Sequence, residues 1–203
     1  MHDPSPPQRS LAEILESVWT SLAEAVVHAR DPFHTPTVGT TREGIARLRT
    51  VVLRFADRDT SELGFHTDAR SLKRADLDLS PHLTWHFYDR ERKVQLRMLG
   101  LASIHTDGPV ADNAWTSVTP LGRRCYGQGP APGTAVQGPD VPLPTVRALE
   151  ADDAPTLSQC REHFCVVRCH LTDIDWLHLR FRGHHRARFT RNGTDWSGHW
   201  IAP

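Results

Sequence analysis

The stretch HLTWHFYDRERKVQLRMLGLASIH, residues 82–105, constrains the fold more than any other part of the chain. Leu83, Trp85 and Phe87 alternate with polar residues, the period of a strand with one buried face. The charged turn RERK then leads straight into a second, longer strand. A connection that short leaves no room for a crossover, so the pair is antiparallel. RLRTVVLRFAD (47–57) reads as another strand, joined by the polar turn DRDT to ELGFHT. Beyond residue 162, HFCVVRCHLT, DIDWLHLRF, HRARFTR and TDWSGHWIA read as four more short strands, the last two linked by Asn192-Gly193. The fold class expected is mainly β: an antiparallel meander closed into a barrel.

The first segment departs from this pattern. Ser10 followed by Glu13 forms a capping box. Leu11, Ile14, Leu15, Val18, Trp19, Leu22 and Val26 then recur at helical spacing, predicting a helix over 10–30 that packs on the barrel before Pro32 and Pro36 break it. Shorter helices are expected at about 69–79 and 110–118. GQGPAPGTAVQGPDVPLP (127–144) is loop, inside a Pro/Gly-rich region running to 158. No internal repeat divides the chain, and 203 residues suit one domain, 1–203.

Lys and Arg total 24 against 24 Asp and Glu, which argues against nucleic acid or a membrane surface as partner. No apolar run reaches a membrane span, and the polar start is not a secretory signal. Cys125, Cys160, Cys165 and Cys169 contain no CxxC pair, and a reduced, cytoplasmic chain is expected. On a strand, His163, Cys165, Val167 and Cys169 would share a face, but buried thiols suit that spacing better than zinc, so no metal is expected. Trp85, Phe87, Trp176 and Phe181 read as core, and Trp19 and Trp115 as packing anchors. Thirteen histidines form no HExxH or Ser/His/Asp pattern, and no dinucleotide fingerprint is present.

FHTDARSLK (65–73) carries the chemistry. A strand ends in Thr67, and Ser71 and Lys73 open the following helix, with His66 and Arg70 between. Helix N-termini attract anions through their free N–H groups; hydroxyls add donors and Lys73 adds a full charge. The stretch alone also fits an ordinary N-cap with a solvated helix behind it. In GHHRAR (183–188), alternation puts His184, Arg186 and Arg188 on one face.

Taken in order, RTVVLR, FHTDARSLK, the glutamine of RKVQLRMLG and the terminal WIAP resemble the pyridoxamine 5′-phosphate oxidase family. The resemblance runs from about 45 to 203. It implies an FMN-binding split β-barrel with an N-terminal helix, holding its cofactor at a homodimer interface. It implies FMN contacts at Arg49, Thr50, Val51 and Val52, at His66 and Thr67, and at Ser71 and Lys73. Gln95 would face the flavin, with Arg188 and Arg186 near the C-terminus. Arg49, Thr67, Ser71 and Lys73 would then converge on the FMN phosphate.

The substrate half departs from the family. Arg54 keeps one phosphate-binding charge, but the other positions fall on Trp115, Thr119 and Arg123, and the family's C-terminal Arg-x-His pair falls on His184 and Arg186. The tryptophan expected near the flavin aligns with Leu177, beside Trp176. The loop at 127–144 replaces a segment through which the family's partner subunit reaches the flavin. Each lost charge-assisted bond removes roughly 1.5–3 kcal/mol. The pattern therefore resembles an oxidase-like flavoprotein branch acting on an unidentified small molecule, with no catalytic residue assigned. A non-catalytic flavin- or haem-binding module, a deazaflavin reductase and a true vitamer oxidase with altered contacts stay open as alternatives.

Overall fold

The computed structural model describes residues 9–127, 129–139, 144 and 154–203, with the side chains of 154–156 excepted. The elements run α1 (Leu11–Val27), β1 (Thr37–Arg42), β2 (Ile45–Thr50), β3 (Leu53–Asp57), β4 (Glu62–Asp68) and α2 (Leu72–Leu79). They continue as β5 (His82–Asp89), β6 (Val94–His105), α3 (Gly108–Ser117), α4 (Pro120–Arg123), α5 (Ala154–His163), β7 (Phe164–His178), β8 (His185–Asn192) and β9 (Asp195–Ile201).

All nine strands join one antiparallel sheet, ordered β2-β1-β5-β6-β7-β4-β3, with β8 on β7 and β9 on β8. Laid flat, the seven-strand path would be about 29 Å wide. Yet β2 and β3, at its two ends, are joined by only Val51 and Val52, so the sheet has to curl on itself. The barrel splits along β7, a strand of 15 residues. One edge of β7 pairs throughout with β6; the other pairs first with β4 through Phe164–His170 and then with β8 through Asp173–His178.

Inside, Leu83, Trp85 and Phe87 meet Leu53, Phe65, Leu96, Met98, Val167, Ile174 and Phe189. Trp85 stacks on Phe87 with ring centroids 6.0 Å apart, and Phe65 meets Trp85 edge-on at 5.6 Å. Helix α1 buries Ile14, Val18, Trp19, Leu22 and Ala25 against this core. Its capping box is formed: the Glu13 amide donates to Ser10 Oγ at 3.2 Å, and the Ser10 amide donates to Glu13 Oε2 at 2.7 Å.

Several expectations need correction. The order is not a simple meander, because β4 pairs with β7 and β1 with β5. No particular strand is expected at 37–42, where β1 forms, and 47–57 is two strands, broken where the chain passes between the two ends of the sheet. Helix α1 stops at Val27, three residues before Arg30, with His28 as its cap. The segments HFCVVRCHLT and DIDWLHLRF are one continuous strand, so three strands, not four, follow residue 163. Residues 154–158, expected as loop, begin α5. Of the 127–144 loop, residues 129–139 carry no helix or strand; 128, 140–143 and the 145–153 part of the wider region lie outside the described residues. Phe181 is fully exposed in a turn and does not join the core.

The thiols line the core as expected: Cys165 and Cys169 are fully buried, and burial pushes them up to about 11 and about 12. His163 does not share their strand. It ends α5 and bonds the Tyr126 carbonyl through Nδ1 at 2.8 Å.

Candidate functional site

At the corner where β4 enters α2, Lys73 Nζ donates to Thr67 Oγ1 at 2.9 Å, and Thr67 Oγ1 lies 3.3 Å from Ser71 Oγ. Ser71 occupies the N-cap of α2, but its hydroxyl makes no capping bond. The ordinary capping role open in the sequence is therefore not the one it performs: the hydroxyl turns to Thr67. Arg49 arrives from β2. It donates to Thr40 Oγ1 at 2.7 Å and to the Arg47 carbonyl at 2.8 Å, and reaches Asp76 Oδ2 at 3.4 Å. Burial pulls the Lys73 ammonium below its usual range, and the nearby Arg49 guanidinium pulls it further. The four side chains thus converge on one corner.

Asp76, fully buried on α2, is what sequence reasoning missed there. It accepts from Thr40 at 2.8 Å and pairs with Arg49 and, at 3.5 Å, with Arg42. Arg42, Arg49 and Lys73 against one carboxylate leave about two positive charges, the complement of a phosphate monoester. An Asp four residues into a helix with alternating charges looks solvent-facing in the sequence; only the packing of α2 on β1 buries it.

His66, next to Thr67, points the other way, as alternation requires. It lines a cleft of about 730 Å³ between the outer side of β3, β4 and β7 and the α3–α4 segment. Val52, Arg54, Phe55, Tyr126 and Arg168 share that cleft. Burial, with Arg54 and Arg168 beside it, takes His66 down to about 4, so the ring is neutral at ordinary pH. Arg168 stacks over Phe55 at 3.0 Å. Trp115 packs on Phe164 at 5.2 Å and carries the Arg123 guanidinium at 4.9 Å, while Arg123 Nη2 donates to the Trp115 carbonyl at 3.2 Å. Arg123 is thereby committed to Trp115, and neither residue lines the cleft. His184 lies outside it, in the turn before β8, and accepts from the Arg180 amide at 3.1 Å.

A third group sits on the outer face of the sheet. Register places Thr50, Thr37, His86, Arg97, Asp175, Arg188 and His199 in one row, with Gln95, Leu177 and Arg186 in the next. Gln95 Oε1 meets His86 Nε2 at 3.3 Å. Arg186 makes two bonds to Asp175, at 3.0 and 2.7 Å, and Arg188 donates to Asp173 at 2.7 Å. Both carboxylates escaped the sequence reading. Thr50 and Arg188 share a face but lie about 24 Å apart along the sheet. Val51 is buried, its amide bonded to the Pro36 carbonyl at 2.9 Å. The residues grouped by the sequence therefore fall into a corner, a cleft and an outer face within one chain.

Fold and register together define a class: an antiparallel split barrel with flanking helices. Residues 16–106, somewhat under half of the chain, match the family model for the pyridoxamine 5′-phosphate oxidase FMN-binding domain. A pyridoxamine 5′-phosphate oxidase-related FMN-binding protein from Nostoc punctiforme superposes with a TM-score of 0.72 at 23% identity, covering 96% of this chain and 99% of its own. PhzG from Burkholderia lata, solved with tetrahydrophenazine-1-carboxylic acid, gives 0.68 at 20% identity, covering 100% and 98%. At these identities the likeness is one of fold. No curated protein matches the sequence. Among the described residues no helix is long and apolar enough to cross a membrane.

Proposed function

We propose that this protein is an FMN-dependent oxidoreductase acting on a small molecule, working as a cytoplasmic homodimer that completes each flavin site from two chains. The observation that carries the reading is the convergence of Arg49, Thr67, Ser71 and Lys73 at the β4–α2 corner. These groups fit a phosphate ester: two cations, two hydroxyls and a helix N-terminus whose N-cap hydroxyl is turned away from capping. Asp76 holds Arg49 in place before any ligand arrives, which lowers the ordering cost of binding.

Bound FMN supplies electron transfer to and from carbon or oxygen centres. The chain's own residues position it. Gln95 offers an amide, and Arg186 and Arg188 offer guanidiniums whose charge favours electron density on a neighbouring ring; Asp173 and Asp175 orient both and temper that charge. Because the corner and the outer face lie apart in one chain, a partner chain supplying the second set accounts for both. The cleft, walled by Val52 and Phe55 and carrying Arg54, Arg168 and a neutral His66, suits a small acidic substrate. With Arg123 bound to Trp115 and His184 outside the cleft, the vitamer-phosphate grip is not assembled, which favours the oxidase-like branch over a true vitamer oxidase.

Denaturing the purified protein and identifying the released chromophore by absorbance and mass tests the reading. FMN is expected at about one per chain. Haem, a deazaflavin or no chromophore, with no FMN uptake on reconstitution, would remove it.

A further inference from the structure

A second cavity, of about 370 Å³, opens under α1 on the inner side of the sheet, away from the corner, the cleft and the outer face. Register brings Val94, His178 and His185 abreast on β6, β7 and β8, and Leu96, Trp176, Ala187 and Trp200 abreast one row further in. Ile14, Ser17 and Val18 of α1 and Phe33 close the other side. Its floor is therefore apolar and aromatic.

Its rim is basic. Arg9, Arg92 and Arg180 line it with His178 and His185, and no aspartate or glutamate does among the described residues. Arg92 is neutralised from behind, paired with Asp31 at 2.8 Å and with Asp89. Arg180 is not: its guanidinium bonds the His185 ring, with Nη1 2.8 Å from Nε2, and no carboxylate pairs with it among the described residues. His178 is held below its usual range by burial and then by Arg180, His185, Arg9 and Lys93, which records how much positive charge crowds this rim. An imidazole is a weak partner for a guanidinium, whereas a carboxylate meets it with two charge-assisted bonds.

We propose that this cavity is a second ligand site, for a small flat aromatic carboxylate whose ring lies on Trp176 and whose acid group meets Arg180. The volume is that of a small-molecule pocket with few polar groups at one end. The site is independent of the flavin reading, since none of its residues belongs to the corner, the cleft or the outer face.

Calorimetric titration of the full-length protein, carrying whatever cofactor it is purified with, tests it using naphthalene-1-carboxylate and the uncharged naphthalene-1-methanol. One carboxylate per chain is expected, bound about tenfold more tightly than the alcohol. Arg180→Glu should erase that preference, and Ser17→Phe, which fills the cavity from α1, should weaken both ligands, with the melting temperature and chromophore content of each variant unchanged. Should Arg180→Glu fail to fold, Arg180→Gln carries the same comparison. Equal binding of acid and alcohol, a preference that survives loss of Arg180, or displacement of the acid by added FMN overturns the proposal.

Discussion

At the residue scale, the corner makes the most direct demand. Lys73→Met keeps the length of the side chain and removes its charge and donor, a loss of roughly 1.5–3 kcal/mol in phosphate binding. FMN affinity, read by quenching of free flavin fluorescence, should fall by about 10- to 150-fold; a change within twofold would sink the assignment of Lys73. His66 makes a separate demand on stability. In the unfolded chain it takes up a proton near pH 6.5, and in the folded chain only near 4. Between those values the unfolded state binds more protons, so stability is lost as pH falls through that window and is fully present above it. The contribution is roughly 3 kcal/mol at most. Urea midpoints for wild type and His66→Gln should therefore diverge in their pH slope between 6.5 and 4, the wild type being steeper; parallel curves would show that the ring titrates normally.

At the element scale, β6 and β7 set the geometry. Their register shifts between Leu99 and Gly100, and a Cβ on Gly100 would come within 2.3 Å of the His170 carbonyl oxygen and 2.7 Å of Cys169 Sγ. The extra residue, Thr172, belongs to β7, which bends there, and the backbones approach too closely for any side chain on Gly100. Gly100→Ala should cost ~2 kcal/mol or more through overpacking, seen as a lower thermal midpoint. An unchanged midpoint would mean that the two strands can move apart freely. Much of this scale was legible in the sequence. The 82–89 alternation gave β5 to the residue because its core face is uniformly large and apolar, and the capping box fixed the start of α1. The single strand β7 was not legible, since the polar run Thr172-Asp173-Ile174-Asp175 looks like a turn. Its two aspartates lie on the outer face, where Arg186 and Arg188 neutralise them.

At the scale of the whole molecule, the proposed function requires residues that lie apart in one chain to meet at one flavin. If each flavin rests on the corner of one chain and the outer face of another, Lys73→Met and Arg188→Ala damage different halves. Co-expressing the two variants gives mixed dimers in which one site carries both changes and the other neither. About a quarter of all sites should then bind FMN as wild type does, if the chains mix at random. A site contained within one chain predicts none, which a flavin titration of the mixture distinguishes.

The sequence alone determined the strands with one apolar face, the capped first helix and the hydroxyl and basic residues at the β4–α2 junction, because each rests on neighbours within a few positions. Only the tertiary structure decided which of those residues meet. Thr67 and His66 are adjacent in the chain yet serve opposite sides of a strand, and Arg49 is held by an aspartate 27 positions away. Local periodicity fixes which way a side chain points, but its partners depend on how the sheet closes, and that closure is a property of the whole packed barrel.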